Sequence, residues 1–138
     1  MDSFIGKYKC NFAKKYDEFM KALDVNILVR KAATVSSPVM EVSKEGDRWC
    51  IQTSTSLKSM ELKFELGKKF EETTADGREV TAVVTLDGNK FVTVQKAKKA
   101  GEKSTKSIRE FNGDEVVQTM TVDGVDDLVC VQKFKRIS

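Results

Sequence analysis

Histidine is missing from the 138 residues, and cysteine is scarce, with three copies. Because histidine is the commonest general base and a frequent metal ligand, its absence argues against the usual catalytic triads and zinc hydrolases. Cys10, Cys50 and Cys130 form an odd, widely spaced set without a CxxC pair, which indicates reduced thiols rather than a disulfide framework or a zinc site. With no histidine to activate a thiol, we expect no enzyme activity, no metal and no cofactor.

The sequence also lacks apolar runs of membrane-spanning length and a charged leader followed by an apolar stretch. We therefore expect no secretion and a cytoplasmic location. Neither sign of charge dominates, because 24 basic and 21 acidic residues leave a net charge of +3, unlike the concentrated basic surface of a nucleic-acid-binding protein. The length and a single proline predict one folded domain over residues 1–138.

Helical periodicity is confined to residues 16–35. Tyr16, Phe19, Met20 and Leu23 recur at i, i+3, i+4 and i+7, which predicts a first short helix with one apolar stripe. Its stripe is too narrow to form a core alone, so we expect the helix to pack on the rest of the chain.

A second helix is predicted from Ile27 to Val35, with Asn26 as its N-cap and Pro38 beyond its end. Asp24 and Val25 interrupt the periodicity and separate the two helices. We therefore expect a helix pair joined by a tight turn.

The remaining segments alternate between apolar and polar residues, with turn signals such as Asp87-Gly88-Asn89 between them. No helical stretch interrupts the nine segments after the helices, so we expect hairpin connections and an antiparallel meander. Closing such a meander into a barrel removes its unpaired edges. The ten predicted strands are Ile5–Phe12, Val39–Lys44, Arg48–Ser56, Met60–Leu66, Phe70–Thr74, Glu79–Leu86, Lys90–Lys96, Ser104–Phe111, Glu115–Val122 and Leu128–Lys135.

One parity of several strands mixes apolar with polar side chains. If that parity faces inward, the interior is too polar and too wide for a packed core, and it holds water and a ligand. The alternation also permits the reverse, in which these polar residues face solvent and the other parity forms the core. The mixed positions are Ile51, Thr53, Thr55, Val116, Gln118, Met120, Gln132 and Phe134.

A series of short motifs runs in order along the chain. They are Gly6-Lys7-Tyr8, Tyr16-Asp17-Glu18-Phe19-Met20-Lys21, Arg30-Lys31, Pro38, Gly46-Asp47, Phe64-Glu65-Leu66-Gly67, the run from Phe70 to Arg78, Ile108-Arg109-Glu110 and Phe134-Lys135-Arg136. In this order and spacing the chain resembles the intracellular fatty-acid-binding protein family, which includes the cellular retinoid-binding proteins. The resemblance covers essentially the whole sequence.

The resemblance implies an all-β fold, a ten-stranded antiparallel up-and-down β-barrel shaped like a clam. A two-helix lid would lie between the first and second strands, and the sheet would open between the fourth and fifth strands near Gly67. It also implies a monomer that binds and transports long-chain fatty acids in the cytosol, without catalysis.

The resemblance places the ligand head group at an arginine on the eighth strand and an Arg-x-Tyr pair on the last strand. Arg109 matches the first position, but Gln132 and Phe134 occupy the other two. A Gln-x-Phe pair resembles the cellular retinol-binding branch, which generally lacks the eighth-strand arginine, so the chain is a hybrid. A retinoid or another weakly polar lipid is therefore an alternative ligand.

The side chains themselves leave three assignments open. A buried Arg109 needs an anion or several acceptors, and a carboxylate with the Gln132 amide would supply them. Alternatively, Arg109 is a solvated arginine paired with Glu110, Gln132 lines a wet wall without touching ligand, and Phe134 is plain packing.

Further residues match positions that line the family's cavity or portal, although some of them would equally pack the helices onto the barrel. Methionine suits such a wall, because its flexible chain adapts to different ligands. The expected tail and portal residues are Tyr16, Met20, Val25, Val29, Pro38, Met40, Ile51, Thr53, Leu57, Met60, Ala75, Asp76, Arg78, Gln118 and Met120.

Lys21, Arg30 and Lys31 match a basic cluster on the family's lid, and Ile27 lies one helical turn before both Arg30 and Lys31. We expect this surface to make transient contact with anionic membranes, with ordinary solvated lysines as the alternative. A more distant alternative is a structural protein that stacks membranes. The loops at 97–103 and 123–127 are longer than the family's turns, and the sequence assigns them no role.

Overall fold

The computed structural model describes residues 2–34, 36–55, 58–74 and 77–138. A short 3₁₀ turn at Asp2–Phe4 precedes the first strand. The elements are β1 (Gly6–Lys14), α1 (Tyr16–Ala22), α2 (Ile27–Thr34), β2 (Val39–Glu45), β3 (Arg48–Ser54), β4 (Ser59–Glu65), β5 (Phe70–Thr73), β6 (Glu79–Asp87), β7 (Lys90–Ala97), β8 (Thr105–Asn112), β9 (Glu115–Val122) and β10 (Cys130–Arg136).

All ten strands form one antiparallel sheet in the order β4-β3-β2-β1-β10-β9-β8-β7-β6-β5. Pairing of β1 with β10 brings the two ends of the chain together and curls the meander into a nearly closed barrel. The strands β4 and β5 are the two ends of this order and do not pair. Across this opening, the Gly67 amide donates to the Val84 carbonyl at 2.8 Å. The expected barrel, lid position and opening near Gly67 are therefore confirmed.

Local chemistry explains how the helix pair begins and turns. Asn26 caps α2, since its Oδ1 accepts a hydrogen bond from the Leu28 amide at 2.8 Å. Asp24 adopts a left-handed backbone with φ of 61° between the helices, a conformation that aspartate tolerates better than most residues. The helix pair leaves β1 after Lys14 and returns to β2 at Val39, so it lies at one end of the barrel. Among the described helices, none is long and apolar enough to cross a membrane.

Two separate apolar clusters occupy opposite ends of the barrel. The closed-end cluster contains twelve buried residues and includes the stacked rings of Phe4 and Phe111, whose centroids are 4.2 Å apart. The lid-end cluster joins Phe19 of α1 to Val122 and Cys130 at the ends of β9 and β10. The members of the closed-end cluster are Phe4, Tyr8, Met40, Val42, Trp49, Ile51, Phe64, Val84, Phe91, Phe111, Val116 and Phe134.

Arg136 joins both ends of the chain at the closed end of the barrel. Its guanidinium donates to the carbonyls of Ser3 at 2.7 Å and Ile5 at 2.9 Å, and to the Tyr8 hydroxyl at 2.8 Å. It also pairs with Asp114 at 3.1 Å. We call this set of contacts the Arg136 clasp.

Candidate functional site

A row of polar side chains crosses three neighbouring strands inside the barrel. Arg109 of β8 lies opposite Gln118 of β9, which lies opposite Gln132 of β10. Gln118 and Gln132 are 8% and 4% exposed, and the Gln118 amide donates to Gln132 Oε1 at 3.0 Å. The polar parity therefore faces inward, and the arrangement with these residues in solvent is wrong.

Arg109 is an inward-facing cation that is incompletely paired. Its Nε is buried and has no hydrogen-bond partner among the described residues. Burial lowers the pKa of Arg109 to about 10, although Glu72 partly opposes this shift. The guanidinium is still charged at neutral pH, since about 10 lies well above 7. An enclosed, incompletely paired guanidinium is costly, and it attracts an anion or a polar acceptor.

Inward-facing side chains become less buried towards the lid. On β3, Trp49 and Ile51 are buried but Thr53 is only half-buried, and on β4 Phe64 is buried but Met60 is half-buried. Protein atoms surround Arg109, yet its side chain is also half-buried rather than fully covered. These inward groups therefore border space inside the barrel, on the lid side of the closed-end cluster.

A second polar network lies on the part of the wall formed by β5, β7 and β8. The Thr105 hydroxyl donates to Gln95 Oε1 at 2.7 Å, and the Gln95 amide donates to Glu72 Oε2 at 2.9 Å. Burial raises the pKa of Glu72, while the hydrogen bond from Gln95 and the charges of Arg109 and Arg78 lower it. The interior thus contains a carboxylate within electrostatic reach of Arg109.

Thr93 adds a second incompletely bonded polar group. Its hydroxyl is buried and has no partner in residues 2–34, 36–55, 58–74 and 77–138. Thr93 faces inward two positions after Phe91, which lies opposite Arg109. A buried hydroxyl without a partner is uncommon in proteins and calls for a ligand or water. The row of Arg109, Gln118 and Gln132 therefore continues towards Thr93.

A crevice connects the lid with the polar row. Its volume is about 230 Å³. Tyr16, Asp17 and Ala33 line it on the lid side, and Pro38 and Gln132 line it on the barrel side. The other lining residues are Cys10, Ala13, Lys15, Glu18 and Ser36. The buried amide of Gln132 is therefore close to the lid surface through this crevice.

The loop at 98–104, between β7 and β8, connects the lid to the barrel. Lys103 Nζ donates to the carbonyl of Ala22, the last residue of α1, at 2.9 Å. The carbonyl of Lys103 accepts a hydrogen bond from Arg78 Nη1 at 2.6 Å. These residues border a cavity of about 170 Å³ with Leu23 and Glu102. We call the Ala22–Lys103–Arg78 contacts the loop latch.

The expected tail and portal residues fall into several groups. Tyr16, Val25, Pro38, Thr53, Met60 and Met120 are half-buried, whereas Met20, Met40, Ile51, Arg78 and Gln118 are buried. Met40 and Ile51 belong to the closed-end cluster, as does Phe134 from the expected head-group set. Leu57, Ala75 and Asp76 lie outside the described residues.

Two lid residues differ from expectation. Val29 is 57% exposed, so it lies on the outer surface of α2 and not on the cavity wall, and its place at the portal stays a prediction. The Arg30 side chain is 15% exposed and pairs with Asp17 of α1 at 3.0 Å, and it also donates to the Val25 carbonyl at 3.1 Å. Arg30 therefore joins the two helices, because the Asp17 carboxylate and the Val25 carbonyl accept its hydrogen bonds. It does not add a solvated charge to the lid surface.

The outer surface of α2 is apolar beside two exposed lysines. Ile27 and Leu28 are 52% and 74% exposed, and Lys21 and Lys31 are also exposed. Leu28 was not among the expected lid residues. Its place two residues after the predicted N-cap Asn26 put it in the first turn of the predicted second helix. The lid face consists of Ile27, Leu28, Val29, Lys21 and Lys31.

The thiols show no sign of activation. Burial raises the pKa of Cys130 to about 12 and raises the pKa values of Cys10 and Cys50 as well. A protonated thiol is a poor nucleophile. This chemistry suits a binding site better than a thiol catalyst.

Comparisons with known proteins agree with this geometry. Residues 5–137 match the family model described as Lipocalin / cytosolic fatty-acid binding protein family. The chain is 41% identical over 137 residues to a fatty acid-binding protein of Lepidoglyphus destructor, covering 99% of each chain. It is 37% identical over 140 residues to human cellular retinoic acid-binding protein 2, again covering 99% of each.

A solved structure extends the likeness to three dimensions. The fatty acid binding protein of Schistosoma mansoni in complex with arachidonic acid has a TM-score of 0.89 and 29% sequence identity. The match covers 100% of this chain and 98% of that one.

Proposed function

We propose, because the chain belongs to the lipocalin / cytosolic fatty-acid binding protein family, that it binds a long-chain fatty acid inside its barrel and carries it through the cytosol as a monomer. The observation that carries this proposal is Arg109. Its buried Nε lacks a hydrogen-bond partner within the part of the chain that the structure describes, and Arg109 begins a row of inward amides. A relative that is named a fatty acid-binding protein supports the same ligand class.

The head group and the tail have different tasks in this proposal. A tail of roughly fourteen methylenes removed from water contributes about 0.8 kcal/mol each, or on the order of 11 kcal/mol before association costs. A hydrogen bond to a charged group contributes about 1.5–3 kcal/mol. The tail therefore sets most of the affinity, and Arg109 with Gln132 orients the carboxylate.

Competitive displacement tests the head-group assignment. A fluorescent fatty acid is displaced by oleate, retinol and retinoic acid from the wild-type protein, from Arg109→Gln and from Arg48→Gln. Arg48 is exposed on the outward parity of β3, so its variant controls for the loss of one positive charge. We expect Arg109→Gln to weaken oleate binding by about tenfold to a hundredfold and Arg48→Gln to leave it unchanged.

Two results would count against this proposal. Oleate binding that is equal in Arg109→Gln and the wild type would remove Arg109 from the head-group site. Tighter binding of retinol than of oleate would instead favour the alternative of a weakly polar ligand, which Gln132 suggests because it stands where the family has an arginine.

The lid face supports transfer of the lipid by contact with anionic membranes. Its apolar residues Ile27 and Leu28 are exposed, as are Lys21 and Lys31 on the same helix pair. Each cation near an anionic leaflet contributes about 1 kcal/mol. Apolar side chains that reach the acyl boundary add to this attraction. Binding through the lid would bring the cavity entrance to the bilayer.

Transfer kinetics test the membrane contact. We expect Lys21→Glu combined with Lys31→Glu to slow transfer of a fluorescent fatty acid to anionic vesicles at least tenfold, and Leu28→Ser to slow it less. Transfer to vesicles of zwitterionic lipid should change little in the charge-reversal variant. Equal rates to anionic vesicles in all variants would show that the lid lysines are ordinary solvated side chains.

A further inference from the structure

Glu72 places a carboxylate inside the same barrel as Arg109. It lies on the inward parity of β5, and its side chain is held by Gln95 of β7 at 2.9 Å. Gln95 is fixed in turn by Thr105 of β8 at 2.7 Å. Three strands therefore hold this carboxylate in position, and no turn or flexible tail is involved.

The two interior charges offset each other before any ligand enters. The electrostatic contact between Arg109 and Glu72 acts on both groups, because each stabilises the charged form of the other. A guanidinium that already has a carboxylate within reach has less need of a second anion. The interior is thus closer to neutral than Arg109 alone would make it.

An incoming carboxylate and an incoming alcohol meet this pair differently. The carboxylate adds a second negative charge near Arg109 and is repelled by Glu72, whereas an alcohol adds no charge. The neighbouring Gln118 and Gln132 amides both donate and accept hydrogen bonds, so they can bind either head group. Glu72 therefore acts against the anion alone.

We propose that Glu72 is a specificity-determining residue, which reduces the preference for fatty acids and lets long-chain alcohols and similar uncharged polar lipids bind in the same barrel. The inference rests on the proposed carrier function. The role of Glu72 concerns the ratio of the affinities for fatty acids and for uncharged lipids, whereas the carrier function requires only that a lipid binds.

A pair of ligands with the same tail tests it. Dissociation constants of radiolabelled oleate and oleyl alcohol are measured for the wild-type protein, Glu72→Gln and Glu71→Gln. Glu71 is the exposed neighbour on the same strand, and its variant controls for total charge. We expect Glu72→Gln to raise the preference for oleate over oleyl alcohol at least tenfold and Glu71→Gln to leave it unchanged.

The outcomes separate the two proposals. An unchanged preference in Glu72→Gln, with both ligands still bound, overturns the role of Glu72 and leaves the carrier function intact. Binding of neither ligand by the wild-type protein overturns the carrier function itself. If the gained preference for oleate disappears when Arg109→Gln is added to Glu72→Gln, this supports a direct opposition between the charges of Arg109 and Glu72.

A second measurement needs no variant and covers the case in which Glu72→Gln fails to fold. Among the described residues, the groups that face Glu72 are Gln95 of β7, Thr105 of β8 through Gln95, Arg109 of β8 and Arg78 before β6. Glu72 is the carboxyl in this set, so lowering the pH through its pKa neutralises it. We expect hexadecanesulfonate, which remains ionised, to bind more tightly as the pH falls through the raised pKa of Glu72 and past the ordinary carboxyl pKa. Affinity that stays constant over this range contradicts the inference.

Discussion

Arg109 destabilises the ligand-free protein, and in the proposed function it binds the carboxylate of the ligand. Burial lowers the pKa of Arg109 to about 10, and each pKa unit corresponds to about 1.4 kcal/mol. We therefore expect Arg109→Gln to stabilise the ligand-free protein by on the order of 1–3 kcal/mol. Urea denaturation of both proteins, stripped of lipid, measures the difference. A less stable variant would show that the guanidinium is better paired than its geometry indicates.

Glu72 predicts a pH dependence of stability. Because burial raises the pKa of Glu72 in the folded protein, the folded state binds more protons than the unfolded state between the two pKa values. The stability of the wild type should therefore fall as the pH rises through the ordinary carboxyl pKa towards the raised one. Denaturation of Glu72→Gln across this range should lack that contribution, so the variant should gain stability relative to the wild type.

Glu71→Gln is the control for this pH dependence, because Glu71 is exposed. A wild-type protein and Glu72→Gln with parallel pH profiles would contradict the raised pKa of Glu72. In that case the interior would be wetter around β5 than its burial suggests.

Individual side chains could be assigned to a strand from the sequence, but not always to a face of the sheet. Arg109, Gln118 and Gln132 lie on strands of seven or eight residues, whose alternation allowed either face, and the expectation that they face inward came from the resemblance. Glu72 was missed because β5 has four residues, too few to tell which of two adjacent glutamates faces inward. Arg30 was misplaced because its partner Asp17 comes from the other helix.

At the scale of single elements, the loop latch should have the clearest effect on the rate of lipid release. Lys103 holds the end of α1 through the Ala22 carbonyl at 2.9 Å, so Lys103→Met should free one side of the lid. We expect lipid release to accelerate several-fold, while the free energy of unfolding falls by about 1 kcal/mol or less. Stopped-flow transfer of a fluorescent fatty acid to excess vesicles measures the release.

Lys99→Met is the matched control for the latch, since Lys99 is exposed on the same loop. Its only described ion pair, with Glu79, is long at 3.8 Å. Identical release rates for the two variants and the wild type would show that the lid opens elsewhere.

The strands and helices could be predicted to within one or two residues at most ends, because period-two alternation and glycine turns are local signals. The largest differences are of two residues, as at the end of β1, which extends to Lys14 instead of Phe12, and at the start of β10, which begins at Cys130 instead of Leu128. The latch was not predictable, because Lys103 and Ala22 are 81 positions apart. The long 97–103 loop was noticed, but only the folded chain shows what Lys103 contacts.

At the scale of the whole molecule, the Arg136 clasp joins the two ends of the chain at the closed end of the barrel. Arg136 bonds to two carbonyls of the N-terminal segment and to the Tyr8 hydroxyl, and its charge lies 4.8 Å from the centre of the Tyr8 ring. Replacing it leaves several acceptors unmet, so Arg136→Leu should cost about 2–4 kcal/mol of stability. Urea denaturation checks this, with Lys135→Leu as the exposed control. Equal losses in both variants would mean that the clasp contributes only apolar packing.

The barrel as a whole was predictable from the order of its motifs, since a meander without helical interruptions has few other ways to protect its edges. What the sequence left undecided was which parity faces inward. Long-range pairing decides this, because only the alignment of β8, β9 and β10 puts Arg109, Gln118 and Gln132 in one row.

The meeting of the two chain ends at the closed end of the barrel has a practical consequence. The Lys7 amide donates to the Ser138 carbonyl at 3.1 Å, so a linker of a few residues would join the ends without distortion. A circular permutant joined in this way and reopened at the exposed Gly46-Asp47 turn should keep the barrel. Its new termini would lie a short distance from the joined ends. Reporter proteins joined before Ser3 or after Ser138 would sit on the far side of the molecule from the lid and leave lipid entry unobstructed.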